Sequence, residues 1–282
     1  MSVEAFAPAK VNLTLHVTGQ RADGYHMLDS LVMFADIGDR VRVSASSRPV
    51  MVYGGPMADQ IPTDGSNLVA RAADMMGVSA TIRLEKALPP AAGLGGGSSD
   101  AAAVLRALHA LTGAPMPKDV LPLGADVPVC LYGKAARMQG VGDVILPAVK
   151  LPELHAVLVN PRIPVLTAEV FKRLKKRDNP PMPVNLPRGV EMMELVDWLR
   201  EMRNDLEAPA IEAEPVIETV FNALQVTPGC LLTRMSGSGG TCFGLYADAE
   251  TAASAAGRMA EEHPNWWVAA TRLNHPDCAP LA

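Results

Sequence analysis

A glycine-rich loop between a strand pattern and a helix pattern constrains this chain more than any other feature. Four of the five residues Gly93–Gly97 are glycines, and Ser98 and Ser99 follow them. Apolar and polar residues alternate over 81–86, which predicts a strand before the loop. Residues 101–111 are rich in Ala and Leu and predict a helix after the loop, capped by Ser98 or Ser99. Glycines let backbone N–H groups approach an anion closely at the positive end of a helix dipole. The loop therefore predicts a phosphate-binding site, with a flexible connector as the alternative.

Two well-known phosphate loops do not match this one. A Walker A loop needs a lysine after its last glycine, whereas Ser98 follows Gly97 here. A dinucleotide fingerprint needs glycine at the position of Ser98, and its strand usually opens the domain, whereas about 90 residues precede this loop. The sequence therefore favours another class of nucleotide-binding protein, and a dinucleotide oxidoreductase is disfavoured.

Two charged residues far apart in the sequence are candidates for catalysis. The apolar residues Val11, Leu13, Leu15 and Val17 alternate with polar ones, so residues 10–17 are predicted as a strand with Lys10 and Asn12 on one polar face. Asp126 lies in a polar turn just before Pro128. In a phosphoryl transfer, Asp126 would accept the proton of the attacking hydroxyl while Lys10 keeps the hydroxyl in register and stabilises negative charge. Taken alone, either residue is better explained as an ordinary surface charge.

An aromatic residue beside a histidine follows a glycine turn. Tyr25 and His26 come directly after Gly24, in a chain with only 4% aromatic residues. An aromatic ring next to an imidazole provides stacking and edge hydrogen bonds for a planar base. The pair therefore suggests a site for a nucleobase.

The order of the patterns predicts two α+β domains, 1–150 and 151–282, because strands do not alternate regularly with helices. The boundary is expected at 148–152, and the proline-rich run 178–187 is expected to be irregular. Further strands are predicted at 40–44, 156–159, 230–235, 241–246 and 267–272, and further helices at 66–77 (capped by Ser66 or Asn67 and ended by Gly77), 167–176, 190–203, 215–225 and 249–262.

Composition excludes several classes of protein. Apolar residues make up 49% and charged residues 20% of the 282 residues, which excludes wholesale disorder. The net charge of −5 argues against a nucleic-acid partner. Because we find neither a signal-peptide pattern nor an apolar run of about 20 residues, we predict a cytoplasmic protein without a membrane partner. Reduced thiols, rather than zinc ligands or disulfides, are expected at the scattered cysteines Cys130, Cys230, Cys242 and Cys278.

Taken together, the motifs resemble those of the GHMP small-molecule kinases, and the resemblance spans nearly the whole chain. It implies an N-terminal domain like domain 2 of ribosomal protein S5, a ferredoxin-like C-terminal domain, and an active site between them. A hairpin at Ser236–Gly240 should pack against the phosphate loop. Without the resemblance, the default interpretation of Asn204–Glu207 is a helix-end cap. The matching segments are Ala7–Leu13, Gly19–His26, Gly93–Ala102, Gly124–Pro128, Asn204–Glu207 and Met235–Gly240.

The resemblance also implies a reaction and a set of site residues. The reaction is transfer of phosphate from ATP, with Mg²⁺, to the 2-hydroxyl of 4-(cytidine 5′-diphospho)-2-C-methyl-D-erythritol, in the non-mevalonate route to isoprenoid precursors, by a monomer or homodimer. No metal ligand is assigned, although Ser99 and Asp100 are possible ones. The implied residues are Lys10 and Asp126 for catalysis; Asn12, Tyr25, His26, Thr167 and Phe171 for the substrate; and Pro89, Pro90, Ala91, Ala92, Gly93, Leu94, Gly95, Gly96, Gly97, Ser98 and Ser99 for ATP.

Other functions remain open at this point. Another GHMP kinase could phosphorylate homoserine or a mevalonate derivative, but those substrates have no base for Tyr25 and His26. A catalytically silent sensor of nucleotides or metabolites on the same fold would be expected to lack Lys10 or Asp126, and both are present.

Overall fold

The computed structural model describes residues 1–275, which form an α+β structure. The strands are β1 (Ser2–Asn12), β2 (His16–Gln20), β3 (His26–Ala45), β4 (Val50–Gly54), β5 (Ala80–Glu85), β6 (Ala136–Gly140), β7 (Val144–Pro147), β8 (Leu154–Asn160), β9 (Leu232–Met235), β10 (Cys242–Tyr246) and β11 (Trp267–Leu273). The helices are α1 (Leu68–Met76), α2 (Gly96–Thr112), α3 (Val127–Tyr132), α4 (Thr167–Arg173), α5 (Met192–Arg200), α6 (Glu207–Ala213), α7 (Val216–Gln225) and α8 (Ala249–Glu262).

The long strand β3 organises the first half of the molecule. It pairs antiparallel with β1, β2, β5 and β6 along different parts of its length. Helix α2 packs against β1 and β3 through its alanine-rich face, where Ala103 and Ala107 lie in one buried cluster with Val41 and Ile82. Small side chains on α2 let the helix approach the sheet closely, and this fixes where the glycine loop begins the helix.

The second half contains a four-stranded antiparallel sheet in the order β11-β8-β10-β9. Numbered within this half, the order is 4-1-3-2, with helix α7 before the second strand and α8 before the fourth. This is the ferredoxin-like arrangement that the sequence predicts.

The two halves share a sheet and a core. Strand β11 reaches β3 through the pairing of Leu273 with Ala35. One buried cluster contains Leu13 and Met33 from the first half together with Leu158 and Phe243 from the second. The predicted boundary falls between β7 and β8, and the division at residue 150 stays a prediction.

Several local predictions are confirmed. Helix α1 begins after Asn67, whose side chain accepts hydrogen bonds from the backbone N–H groups of Val69 and Ala70, and it ends at Gly77. Helix α8 has the predicted bounds, residues 178–187 are irregular, and β9 and β10 form the predicted hairpin. Helices α4 and α5 are shorter than predicted.

Other local predictions are wrong, for reasons visible in the structure. Residues 10–17 form the end of β1 and the start of β2, with a break at 13–15. Only the end of β3 was predicted, because residues 29–35 are buried without alternation. Neither Ser98 nor Ser99 caps α2, since the helix begins one turn earlier, after Gly95 in a left-handed conformation (φ +62°). The elements β4, β6, β7, α3 and α6 were not predicted.

The cysteines of the described chain are free thiols. Cys130 and Cys242 are buried, which raises the pKa of both thiols, and Cys230 is half-buried. Cys278 lies outside the described residues. Among residues 1–275 no helix combines the length and the apolar character that crossing a bilayer requires.

Candidate active site

A cleft of about 380 Å³ lies where the two halves meet. Its walls come from the end of β1, the glycine loop, the turn before α3, helix α4 and the β9–β10 hairpin. Predicted residues that line it are Lys10, Asn12, Ala91, Ala92, Gly93, Gly95, Gly96, Gly97, Ser98, Asp126, Thr167 and Phe171. Residues distant in the sequence therefore meet at one site.

Lys10 and Asp126 form an ion pair at this cleft. The Lys10 Nζ atom lies 2.8 Å from Asp126 Oδ2, and the Lys10 side chain is 4% exposed while that of Asp126 is 31% exposed. The stem of Lys10 packs under Gly95, and the Lys10 backbone N–H donates to the carbonyl of Leu94 at 2.8 Å. The ammonium is thus fixed between the glycine loop and a carboxylate that remains open to the cleft.

The hairpin after β9 packs against the glycine loop. A Cβ atom on Gly93 would overlap the carbonyl oxygen of Ser236, so this position needs glycine for contact as well as for its φ of +71°. The buried Ser236 hydroxyl accepts from the backbone N–H of Asn12 at 3.0 Å and donates to the carbonyl of Gly93 at 2.8 Å. One hydroxyl thus links β1, the glycine loop and the hairpin, as the hairpin prediction requires.

Asn204 supports the same hairpin from behind. Its buried amide donates to the carbonyls of Met235 and Gly237, each at 2.9 Å, and its Oδ1 atom accepts from the backbone N–H of Leu206 at 3.0 Å. The default interpretation of this segment as a helix-end cap is wrong, because α5 ends at Arg200 with Glu201 as its C-cap and no side chain caps the start of α6.

A buried charge cluster lies beneath the glycine loop. Lys86 Nζ contacts Asp39 Oδ2 at 2.5 Å and Asp100 Oδ2 at 2.7 Å, and all three side chains are almost fully buried. Burial raises the pKa of Asp100, with Lys86 opposing the rise and Asp39 adding to it. Burial lowers the pKa of Lys86, but the two carboxylates outweigh it and the net shift is upward. A Cβ atom on Gly96 would lie 3.1 Å from Lys86 Nζ, so the cluster supports the start of α2.

This burial corrects the suggestion that Ser99 and Asp100 are metal ligands. Ser99 is fully buried with an unpartnered hydroxyl, and Asp100 faces Lys86 rather than the cleft. Within residues 1–275 no three His, Cys, Asp or Glu side chains group as metal ligands.

Two rings stack beside the cleft. The centroids of His26 and Phe171 are 4.5 Å apart with an interplanar angle of 21°, and only Phe171 lines the cleft. The His26 Nε2 atom is buried without a hydrogen-bond partner, and burial, followed by the charge of Arg177, lowers the pKa of His26. Tyr25 does not line the cleft, and 64% of its surface is exposed.

Comparison with known proteins bears on this arrangement. The GHMP kinases N terminal domain matches residues 67–145, and the GHMP kinases C terminal domain matches residues 188–265. The 4-diphosphocytidyl-2-C-methyl-D-erythritol kinase of Cereibacter sphaeroides (strain ATCC 17029 / ATH 2.4.9) is 55% identical over 96% of this chain and 99% of its own. The enzyme of the same name from Ruegeria pomeroyi is 53% identical over 97% of this chain and 100% of its own.

The chain belongs to the 4-diphosphocytidyl-2-C-methyl-D-erythritol kinases of the GHMP kinase family.

Solved structures agree with this membership. A crystal structure of 4-(cytidine 5′-diphospho)-2C-methyl-D-erythritol kinase superposes with a TM-score of 0.76 at 34% identity, covering 97% of this chain and 100% of that one. Homoserine kinase from Cytophaga hutchinsonii has a TM-score of 0.70 at 19% identity, over 99% of this chain and 96% of its own, and shares the fold alone. The predicted two-domain GHMP kinase fold is thereby confirmed.

For a GHMP kinase, the structure separates the predicted site residues into two groups. Most of the residues named for ATP and substrate line the cleft, and Thr167 there contacts Ser238, with 2.8 Å between the two hydroxyl oxygens. Six predicted residues do not line it, namely Tyr25, His26, Pro89, Pro90, Leu94 and Ser99. Leu94 in the loop and Ser99 in the first turn of α2 are both buried and do not face the cleft.

Three features of the site were missed in the sequence. Lys86 and Asp39 had no recognisable signal, because their partners lie 14 to 49 residues away. The hairpin motif was recognised, but not that Ser236 would make the connecting hydrogen bonds. A serine that directly follows a strand and precedes a glycine, as Ser236 does between Met235 and Gly237, is the signal that suggests such a contact.

Proposed function

We propose that this chain transfers the γ-phosphate of ATP to the 2-hydroxyl of 4-(cytidine 5′-diphospho)-2-C-methyl-D-erythritol. The observation that carries the proposal is the Lys10–Asp126 ion pair beside a glycine loop, in a chain 55% identical to an enzyme named for this substrate. ATP is the phosphate donor that membership of a kinase family implies.

The reaction needs one proton acceptor and a stabiliser of spreading negative charge. As the substrate oxygen bonds to the γ-phosphorus, its proton passes to the Asp126 carboxylate, and the bond from phosphorus to the β-γ bridging oxygen breaks to release ADP. Lys10 contacts Asp126 at 2.8 Å, so its ammonium also lies beside the reacting groups and stabilises their charge. The cleft binds and aligns both substrates, which accounts for much of the rate gain in such transfers.

The triphosphate is proposed to lie along the glycine loop, where α2 presents free backbone N–H groups. A neighbouring cavity of about 190 Å³ shares Leu68, Ala91 and Gly97 with the cleft. Its wall includes the apolar side chains of Ile61, Val69, Leu84 and Pro90. An apolar cavity joined to a phosphate site suits the adenine base, which would give Pro90 a role in binding ATP.

Mg²⁺ is proposed to bind mainly through the phosphates of ATP. The Ser98 hydroxyl and the Asp126 carboxylate both line the cleft, and oxygen atoms of this kind are the ligands that Mg²⁺ prefers. When bound, the ion neutralises the charge of the phosphates. These two side chains fit an ion carried by the nucleotide rather than one in a dedicated protein site.

The cytosine base is proposed to bind at the stacked rings of Phe171 and His26. Phe171 lines the cleft, and the buried His26 Nε2 atom has no partner in the described chain, so it is available to a base. Thr167 and Asn12 are proposed to contact the rest of the substrate. Tyr25, which is exposed, would need to swing inward to reach the base. A cytoplasmic location and a monomeric or homodimeric state stay predictions.

The test is an assay of ADP release with the cytidyl substrate, homoserine and mevalonate in parallel. We expect turnover of the cytidyl substrate alone, and a loss of about 10²- to 10⁴-fold in kcat for Asp126→Asn, which keeps the shape but not the base. Asp74→Asn makes the same change on an exposed face of α1 and serves as the control.

Two results would contradict the proposal. No turnover of the cytidyl substrate by the pure folded protein would refute the assigned reaction. Near-normal turnover by Asp126→Asn would refute the role of Asp126 as the base while leaving the reaction in place.

A further inference from the structure

A chain of side-chain hydrogen bonds runs behind the cleft from Asn12 to Thr14. The Asn12 Nδ2 atom donates to Ser30 Oγ at 2.8 Å, and Ser30 Oγ donates to the Thr14 carbonyl at 2.5 Å. Asn12 is 1% exposed and Ser30 is fully buried on β3. Nothing in the assigned reaction yet uses Ser30.

The protons of this chain can be assigned without ambiguity. A carbonyl only accepts, so the single proton of the Ser30 hydroxyl must point to the Thr14 carbonyl. Ser30 can then only accept from Asn12, which places the NH₂ group of the Asn12 amide toward Ser30. In the other orientation, the amide oxygen of Asn12 would face the hydroxyl oxygen of Ser30, whose only proton is already donated to the Thr14 carbonyl.

With the amide oriented in this way, its oxygen is left without a partner. The Asn12 Oδ1 atom is buried and makes no hydrogen bond with any described residue. It lies 3.3 Å from where a Cβ atom on Gly237 would stand, and both residues line the cleft. An unpaired buried acceptor destabilises the folded protein, so a site that keeps one is prepared for a donor.

The position of this acceptor suggests which donor it meets. Lys10 and Asn12 are two residues apart on one face of β1, so their Cα atoms are about 7 Å apart. In the proposed reaction, the attacking hydroxyl lies at the ion pair of Lys10 and Asp126. A second hydroxyl, one carbon away from the reacting one, would fall between Lys10 and Asn12.

We propose that Ser30 is a positioning residue that orients the Asn12 amide, so that its oxygen accepts a hydrogen bond from a hydroxyl next to the phosphorylated one. This inference rests on the proposed function and makes Ser30 a determinant of acceptor specificity. A substrate that lacks this hydroxyl leaves the Asn12 amide oxygen unpaired, so the site discriminates against it.

The experiment compares the cytidyl substrate with its 1-deoxy and 3-deoxy analogues, which lack one or the other neighbouring hydroxyl. For the wild type we expect kcat/KM to fall about tenfold for one analogue, the cost of the unpaired acceptor. In Ser30→Ala the amide is free to turn, so the difference between that analogue and the full substrate should shrink to about twofold or less. Ser30→Thr keeps the hydroxyl and should restore the discrimination.

Several readouts separate positioning from a general structural effect. The KM for ATP should change little in Ser30→Ala, while the KM for the full acceptor rises. The thermal midpoint is expected to fall, because the buried Thr14 carbonyl loses its donor. If Ser30→Ala does not fold, Ser30→Cys keeps the volume of the side chain but accepts hydrogen bonds poorly, and the same loss of discrimination is expected.

The proposal is overturned if the wild type treats both analogues like the full substrate, or if the alanine or cysteine variant discriminates as the wild type does. Failure of the wild type to phosphorylate even the full substrate would instead refute the proposed function.

Discussion

His16 shows how a single residue couples this structure to pH. Its Nε2 atom accepts from the backbone N–H of Arg203 at 3.4 Å, and its Nδ1 atom contacts the Pro180 carbonyl at 3.2 Å. Both contacts suit the neutral imidazole with its proton on Nδ1. Burial, followed by the charge of Arg203, lowers the pKa of His16, although the Pro180 carbonyl, Asp205 and Asp29 oppose the shift.

We predict that the free energy of unfolding falls as the pH is lowered through 6.5, the ordinary pKa of histidine. The unfolded chain takes up a proton there while the folded protein resists it until its own, lower pKa, so stability rises with pH across this window. His16→Asn keeps a donor for Pro180 but cannot titrate, and should flatten the slope. Part of the slope should remain in this variant, because burial also lowers the pKa of His26.

The measurement is urea denaturation at several pH values between 5 and 8, compared among the wild type, His16→Asn and His109→Asn. His109 is exposed at the end of α2, so its variant controls for the loss of one imidazole. An unchanged slope in His16→Asn would show that His16 does not carry the coupling.

At the scale of elements, the contact between the glycine loop and the β9–β10 hairpin determines the shape of the cleft. Three glycines differ in what their positions require of the residue. Gly93 has a φ of +71° and touches the backbone of Ser236, Gly77 has a φ of +63° with open space around it, and Gly97 has neither constraint.

Alanine at these three positions should have graded effects on stability. Gly97→Ala should stabilise the protein by about 0.5–1 kcal/mol, because alanine favours a helix. Gly77→Ala should cost about 1–2 kcal/mol for the left-handed backbone alone. Gly93→Ala should cost more than Gly77→Ala, because the new Cβ atom also displaces the hairpin.

Urea denaturation gives the free energy of unfolding of the three variants, and the KM for ATP reports on the glycine loop itself. A cost for Gly93→Ala no larger than that for Gly77→Ala would mean that the hairpin yields freely, and that the loop does not depend on it.

At the scale of the whole molecule, the shared core predicts cooperative unfolding. Leu13 and Leu31 from the first half lie in one buried cluster with Leu154, Leu158 and Phe243 from the second. Removing either half would expose this cluster to water, so neither half is expected to remain folded without the other.

The prediction is a single thermal transition with equal calorimetric and van't Hoff enthalpies. The chain's three tryptophans, Trp198, Trp266 and Trp267, all lie in the second half. Their fluorescence therefore reports on that half, while far-UV circular dichroism reports on both. The two signals should change together, and a separate transition in fluorescence would contradict a shared core.

Much of the fold could be predicted where the signal was local. The cap at Asn67, the glycine that ends α1 and the bounds of α8 depend on neighbours within a few residues, and each was predicted correctly. The middle of β3 could not be predicted, because a strand that is buried on both faces does not show the alternation of apolar and polar residues that marks a strand. The start of α2 was misplaced, because Gly95 rather than a serine side chain begins the helix.

The sequence by itself determined a candidate phosphate-binding loop, two candidate catalytic residues and, through its motifs, the family. Only the tertiary structure decided which of these side chains meet. Lys10 and Asp126 are 116 residues apart, and the partners of Ser236 lie 143 and 224 residues from it. A hydrogen bond depends on distances of a few tenths of an ångström, and no local pattern encodes those between residues so far apart. The direction of the Asn12 amide, set by the one proton of Ser30, is therefore a property of the folded molecule.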